Sequence, residues 1–75
     1  MNNKSQALIA EMLEAMTRRY VLGDKKIPQD MLALKDEIMG IFSKMQDEKD
    51  PAALDMYEKR LTEIHEIIFP GQMKL

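Results

Sequence analysis

His65 is the single histidine among 75 residues, so any imidazole chemistry in this chain must be built around it. A di-metal site of the bundle type uses Glu-x-x-His, because residues i and i+3 share one helix face. The residue three before His65 is Thr62, and Glu63 and Glu66 flank it on other faces. The expected place of His65 is therefore a partly exposed position beside a core stripe. The acidic run Asp47-Glu48-Lys49-Asp50 invites comparison with a calcium loop. An EF-hand needs oxygen ligands at loop positions 1, 3, 5 and 12, with glycine at 6. Counted from Asp47, positions 3, 5 and 6 fall on Lys49, Pro51 and Ala52, so the pattern fails. The run reads as a solvated turn that ends in a helix cap.

Nucleophilic chemistry fares no better. Ser5 and Ser43 have no histidine close in sequence, and three glycines make no phosphate-cradling loop. The absence of cysteine excludes disulfides and thiolate metal sites. Carboxylates are plentiful, but a chain this short has little interior in which to shift their pKa values. We expect no enzyme activity, no catalytic or metal-ligating residue, no cofactor and no small-molecule substrate.

Two groups of side chains remain that could bind something. Arg18, Arg19, Lys25 and Lys26, with Tyr20 among them, form the best candidate for an anionic ligand. Such residues at a helix end and loop could contact phosphates, and a helix-turn-helix needs only three helices. The helices that would enter a groove are acidic, however: Asp30, Asp36 and Glu37 accompany Lys35 and Lys44. Complementing a helix dipole in a soluble turn explains the cluster more simply. Methionine is the second group, with eight in the chain. Its flexible, polarisable side chain suits irregular cores and adaptable protein-binding surfaces alike. Met12, Met16, Met31 and Met45 fall on core stripes, whereas Met39 beside Leu32 and Met56 beside Ile67 fall off them. These last four are the expected partner-binding residues.

Three amphipathic helices must position these groups. The first is expected from about Ser5 to Leu22, with Leu8, Ile9, Met12, Leu13, Met16 and Tyr20 on one arc. Glu11, Glu14, Thr17 and Arg18 lie opposite, Glu14 and Arg18 as an i,i+4 pair, and Gly23 reads as a left-handed cap. The second is expected from Pro28 to Gln46, proline suiting its first turn, with a start nearer Asp30 as the alternative. Its stripe is Met31, Leu34, Ile38, Ile41, Phe42 and Met45, widened by Leu32 and Met39, which calls for two neighbours. Gly40 falls on its polar face. The third runs from Pro51 to Phe69 behind the N-cap carboxylate of Asp50 and stops at Pro70-Gly71. Leu54, Tyr57, Leu61, Ile64 and Ile68 form its stripe, with Asp55–Lys59 and Lys59–Glu63 pairs expected on its wet side.

Short connections make neighbouring helices antiparallel, so the expected architecture is an all-α, three-helix, up-down-up bundle in one domain. The alternative is a helical hairpin that dimerises into a four-helix bundle. The net charge of −2 disfavours a dedicated nucleic-acid binder. No apolar run reaches membrane-span length, and Met1-Asn2-Asn3-Lys4-Ser5 lacks a signal-peptide pattern, so a cytoplasmic protein without a membrane partner is expected. Together these readings favour a small protein-protein interaction module, an adaptor, inhibitor or chaperone-like regulator, whose partner is another protein or a second copy. A nucleic-acid-associated regulator using the basic cluster is the alternative.

Overall fold

A computed structural model describes residues 2–71 as three helices and no strand. Helix α1 spans Asn3–Met16 and continues as a π-helical segment over Thr17–Leu22; α2 spans Gln29–Asp47 and α3 spans Pro51–Ile68. Asn2 lies beside Glu58, Glu11 beside His65 and Arg19 beside Ile68, so α1 and α3 run parallel. Glu37 of α2 faces Arg60 of α3 across the turn at residues 48–50, so those two run antiparallel. The all-α three-helix bundle is thus realised within one chain, with α1 packed against the hairpin of α2 and α3.

The core follows from the apolar spacing. Each helix contributes three buried apolar residues: Ile9, Met12 and Met16; Ile38, Ile41 and Met45; Leu61, Ile64 and Ile68. Each such side chain removed from water is worth about 1.5–3 kcal/mol, which drives the helices together. The stripe methionines fill this core: Met12 and Met45 are fully buried, and Met31 is half-buried against it. Gly40 is exposed, as its place on the polar face requires.

Several boundaries differ from the sequence expectation. The first helix starts at Asn3 rather than Ser5, because the Asn2 side chain accepts the Ser5 backbone N–H at 2.8 Å and serves as N-cap. Ser5 is consequently buried in the bundle. Pro28 stands just outside α2 in an extended conformation, and the helix runs from Gln29 to Asp47. Asp50 caps α3 as expected, its carboxylate accepting the Ala52 N–H at 3.1 Å, but the helix closes at Ile68. Asp55–Lys59 and Lys59–Glu63 do not pair; Glu63 instead accepts from Arg60 at 3.3 Å.

The largest departure lies at the end of α1. The Gly23 N–H donates to the Arg18 carbonyl and the Lys25 N–H to the Tyr20 carbonyl, both i to i+5 and both 3.1 Å. Such wide turns are rare, and when they occur they often mark functional positions. Gly23 is not a left-handed cap: its φ is −80°, and Asp24 takes the positive φ of 52°, which aspartate tolerates better than most residues. Glycine is required at position 23 for space, since a Cβ there would sit 2.5 Å from the Arg19 carbonyl oxygen.

Candidate functional site

The first helix ends in the π-helical segment over Thr17–Leu22. Tyr20 stays half-buried against the core, while Val21 and Leu22 are 70% and 75% exposed. They end a Tyr20-Val21-Leu22 run that no single helix face can bury whole. That run is the sequence signal for an uncovered apolar patch, and a search for helical stripes passes over it.

Beside this patch lies an open groove of about 480 Å³ along the α1–α2 seam. Leu13, Met16 and Tyr20 form one wall, Ile27 and Leu32 the other, with Val21 at the mouth. Lys25 and Lys35 also line it, and no carboxylate does. Neither lysine has an ion-pair partner among the described residues. Thr17 is inert in this wall, its hydroxyl donating to the Leu13 carbonyl at 2.9 Å.

The four expected partner-binding residues do not form one patch. Leu32 lines the α1–α2 groove, and Met39, two turns further along α2, is 46% exposed. Met56, 71% exposed, borders a separate depression between α2 and α3 with Gly40, Lys44 and Arg60. Ile67 is half exposed, three turns on from Met56 along the same side of α3. Of the groove's apolar residues, Leu32 alone is an expected partner-binding residue; Leu13, Met16 and Tyr20 are expected on the core arc of the first helix.

The basic cluster is divided as well. Arg18 pairs with Glu14 at 2.7 Å, the expected i,i+4 contact. Arg19 lies over the Phe69 ring at 5.8 Å and donates to the Ile68 carbonyl at 3.4 Å. It thereby satisfies an acceptor left open at the end of α3 and adds a cation–π contact. Both arginines border a depression on the α3 side together with Glu11 and Glu14. Lys25 lines the opposite, α2 side, and Lys26 is exposed. The four cations therefore do not share a face.

His65 is buried rather than partly exposed, because the α1–α3 seam closes over it. Its Nε2 lies 3.5 Å from Glu11 Oε1 without a hydrogen bond, and its ring packs 4.6 Å from that of Phe69. The described residues contain no cluster of three or more metal-ligating side chains. The turn at Glu48 and Asp50 is occupied locally: the Glu48 carboxylate accepts the Lys49 and Asp50 N–H groups at 3.2 and 3.1 Å.

The perturbed ionisable pair is Glu37 with Arg60. The guanidinium grips the carboxylate through two nitrogens, one contact being 2.9 Å, and holds Glu37 below the usual carboxylate range. The same hydrogen bonds, to Glu37 and then Glu63, push Arg60 further up, which leaves a guanidinium that is charged in any case. This is a structural clasp between α2 and α3. Among the described residues, no helix is long and apolar enough to cross a membrane. No protein-family model, curated protein or solved structure matches the chain.

Proposed function

We propose that this chain is a protein-interaction module that docks a segment of another protein onto its α1–α2 seam, and acts as an adaptor, inhibitor or chaperone-like regulator. The observation that carries this reading is the concentration of uncovered apolar surface there. Val21 stands exposed at the mouth of a groove whose walls are largely apolar, and Leu22, next to it in the chain, is exposed as well. An apolar patch that is contiguous and rimmed by polar groups is characteristic of interaction sites, whereas scattered single residues are ordinary surface. Met56 and Ile67 are of the second kind.

The mechanism is helix-face packing. Leu32 and Tyr20 supply buried anchor area on binding, and Lys25 and Lys35 form the polar rim. The energy comes from removing apolar surface from water, so it needs neither a cofactor nor a buried charge.

A photocrosslinking amino acid placed at Val21, at Leu32 or at Asp55 on the outer side of α3 tests this in source-cell lysate. Heterologous crosslinks at Val21 and Leu32, absent from Asp55 and abolished by Leu22→Glu, are the expected result. Crosslinks equal at all three positions, or at none, overturn the reading. A product of twice the chain mass at the seam positions would give the surface to a second copy instead.

A further inference from the structure

We infer that the segment seated in the α1–α2 groove is an acidic amphipathic helix, its carboxylates meeting Lys25 and Lys35. This rests on the interaction reading above and adds the chemistry of the occupant. The protein as a whole carries a net charge of −2. Three other surface depressions mix carboxylates with cations: Glu11 and Glu14 face Arg18, Glu37 faces Arg60, and Asp55 and Glu58 flank Lys59. The α1–α2 groove differs. It has lysines at its edge and no carboxylate in its lining. Asp24 and Asp36, the nearest acids along the chain, are exposed and lie outside that lining.

Unpaired cations on an acidic protein select a partner of opposite sign and raise its encounter rate, which makes charge the specificity element here. Apolar walls add the requirement for a hydrophobic stripe on that partner. The groove runs along two antiparallel helices, and the α1 wall from Leu13 to Tyr20 is about 10 Å long at helical rise. That length accepts about two turns of a third helix through anchors at i, i+3 or i+4, and i+7. Strand addition, the mode that needs a sheet edge, has none here, since the described residues form no strand.

The test uses the full chain, labelled with 15N, and two synthetic helical peptides. Both carry leucines at i, i+3, i+4 and i+7; one has flanking glutamates and the other has lysines in their place. The glutamate peptide should shift the amide signals of Val21, Lys25, Leu32 and Lys35. Its affinity should fall about tenfold or more in Lys25→Glu/Lys35→Glu, as expected for two lost surface pairs and added repulsion, and should weaken as salt is raised. Circular dichroism of that double variant checks that the helices persist, and the milder Lys35→Gln should give an intermediate loss. Equal binding of both peptides at the seam would overturn the acidic preference and leave the docking reading standing. If neither peptide moves the seam signals but Val21 still crosslinks a protein, the occupant is not this helix. If the crosslinks fail too, both readings fall. Seam signals that move on dilution, with sedimentation as a dimer, would assign the groove to a second copy and overturn the inference.

Discussion

On its α3 side, α1 is tied by side chains along its whole length. Asn2 donates to Glu58, Lys4 lies 3.8 Å from the same carboxylate, Glu11 faces His65, and Arg19 reaches Ile68 and Phe69. On its α2 side, the described residues make no hydrogen bond or ion pair between the two helices. The remaining interhelical polar contact, Arg60 with Glu37, also runs to α3. The contrast has a physical origin. A connection of six residues, 23–28, already holds α1 and α2 near each other, whereas α1 and α3 are distant in sequence and must be joined by packing and polar contacts. The seam closed by covalent proximity is free to stay open at its surface, and that is where the uncovered apolar groups lie.

If α3 is the hub of the fold, damage to it should be far more costly than damage to the open seam. Leu61 is fully buried and Leu32 is half-buried at the groove. Leu61→Ala should lower unfolding stability by about 2–5 kcal/mol, from lost burial plus the cavity left behind. Leu32→Ala should lose about 1 kcal/mol or less, since only part of its surface is removed from water. Urea titration of both variants measures this, and a Leu32→Ala loss as large as that of Leu61→Ala would break the contrast. The chain is small, so the Leu61 variant should also be substantially unfolded at about 37 °C.

A smaller effect is expected where the open seam is closed covalently. Gly23→Ala places a methyl group 2.5 Å from the Arg19 carbonyl oxygen, and backbone cannot yield as a flexible side chain would. We expect a loss of about 1–3 kcal/mol, in the range of other overpacked sites. The amide signals of Thr17–Leu22 and of Asp24 should move, while those of α3 stay in place. Unchanged stability would mean that the turn relaxes into ordinary α-helix, and Val21 and Leu22 would then rotate relative to the groove.

How far these features are legible in the sequence depends on the length scale of their cause. The stripes of α2 and α3, the Asp50 cap and the Glu14–Arg18 pair are set by neighbours within one or two turns, and reading the residues suffices. The N-cap at Asn2 is equally local, an asparagine three residues before Ser5, but the apolar pattern that marks the helix begins only after it. The π-helical turn is not legible in this way. It depends on whether the backbone near Gly23 can approach the Arg19 carbonyl, a steric matter that apolar periodicity does not encode. The burial of His65 and the diversion of Arg19 to the end of α3 depend on α1 and α3 meeting in parallel, residues 49 apart in the case of Arg19 and Ile68. The candidate site combines these causes: Leu32 is visible as part of a wide stripe and Leu13, Met16 and Tyr20 as part of the first arc, but that the two arcs leave a groove between them depends on how α1 and α2 meet.

The smallest expected effect concerns the clasp between α2 and α3. Glu37 is held below the usual carboxylate range chiefly by its hydrogen bonds from Arg60. A depressed pKa in the folded state means that the unfolded chain takes up this proton more readily. The clasp's contribution is therefore fully present above the ordinary glutamate range, about 4.3, and is lost as pH falls through the lower folded value. Glu37→Gln should flatten the acid limb of the stability profile below that range relative to the native chain. Its side chain is 38% exposed, so solvent screening keeps the difference to a few degrees of Tm, roughly. Glu66→Gln, an exposed position without an ion pair among the described residues, is the control and should track the native profile. Glu37→Gln should also leave binding at the α1–α2 groove unchanged, because the clasp lies on the other side of α2. Loss of groove binding in that variant would show that the two seams of α2 are coupled, and the open seam would then owe its shape to the closed one.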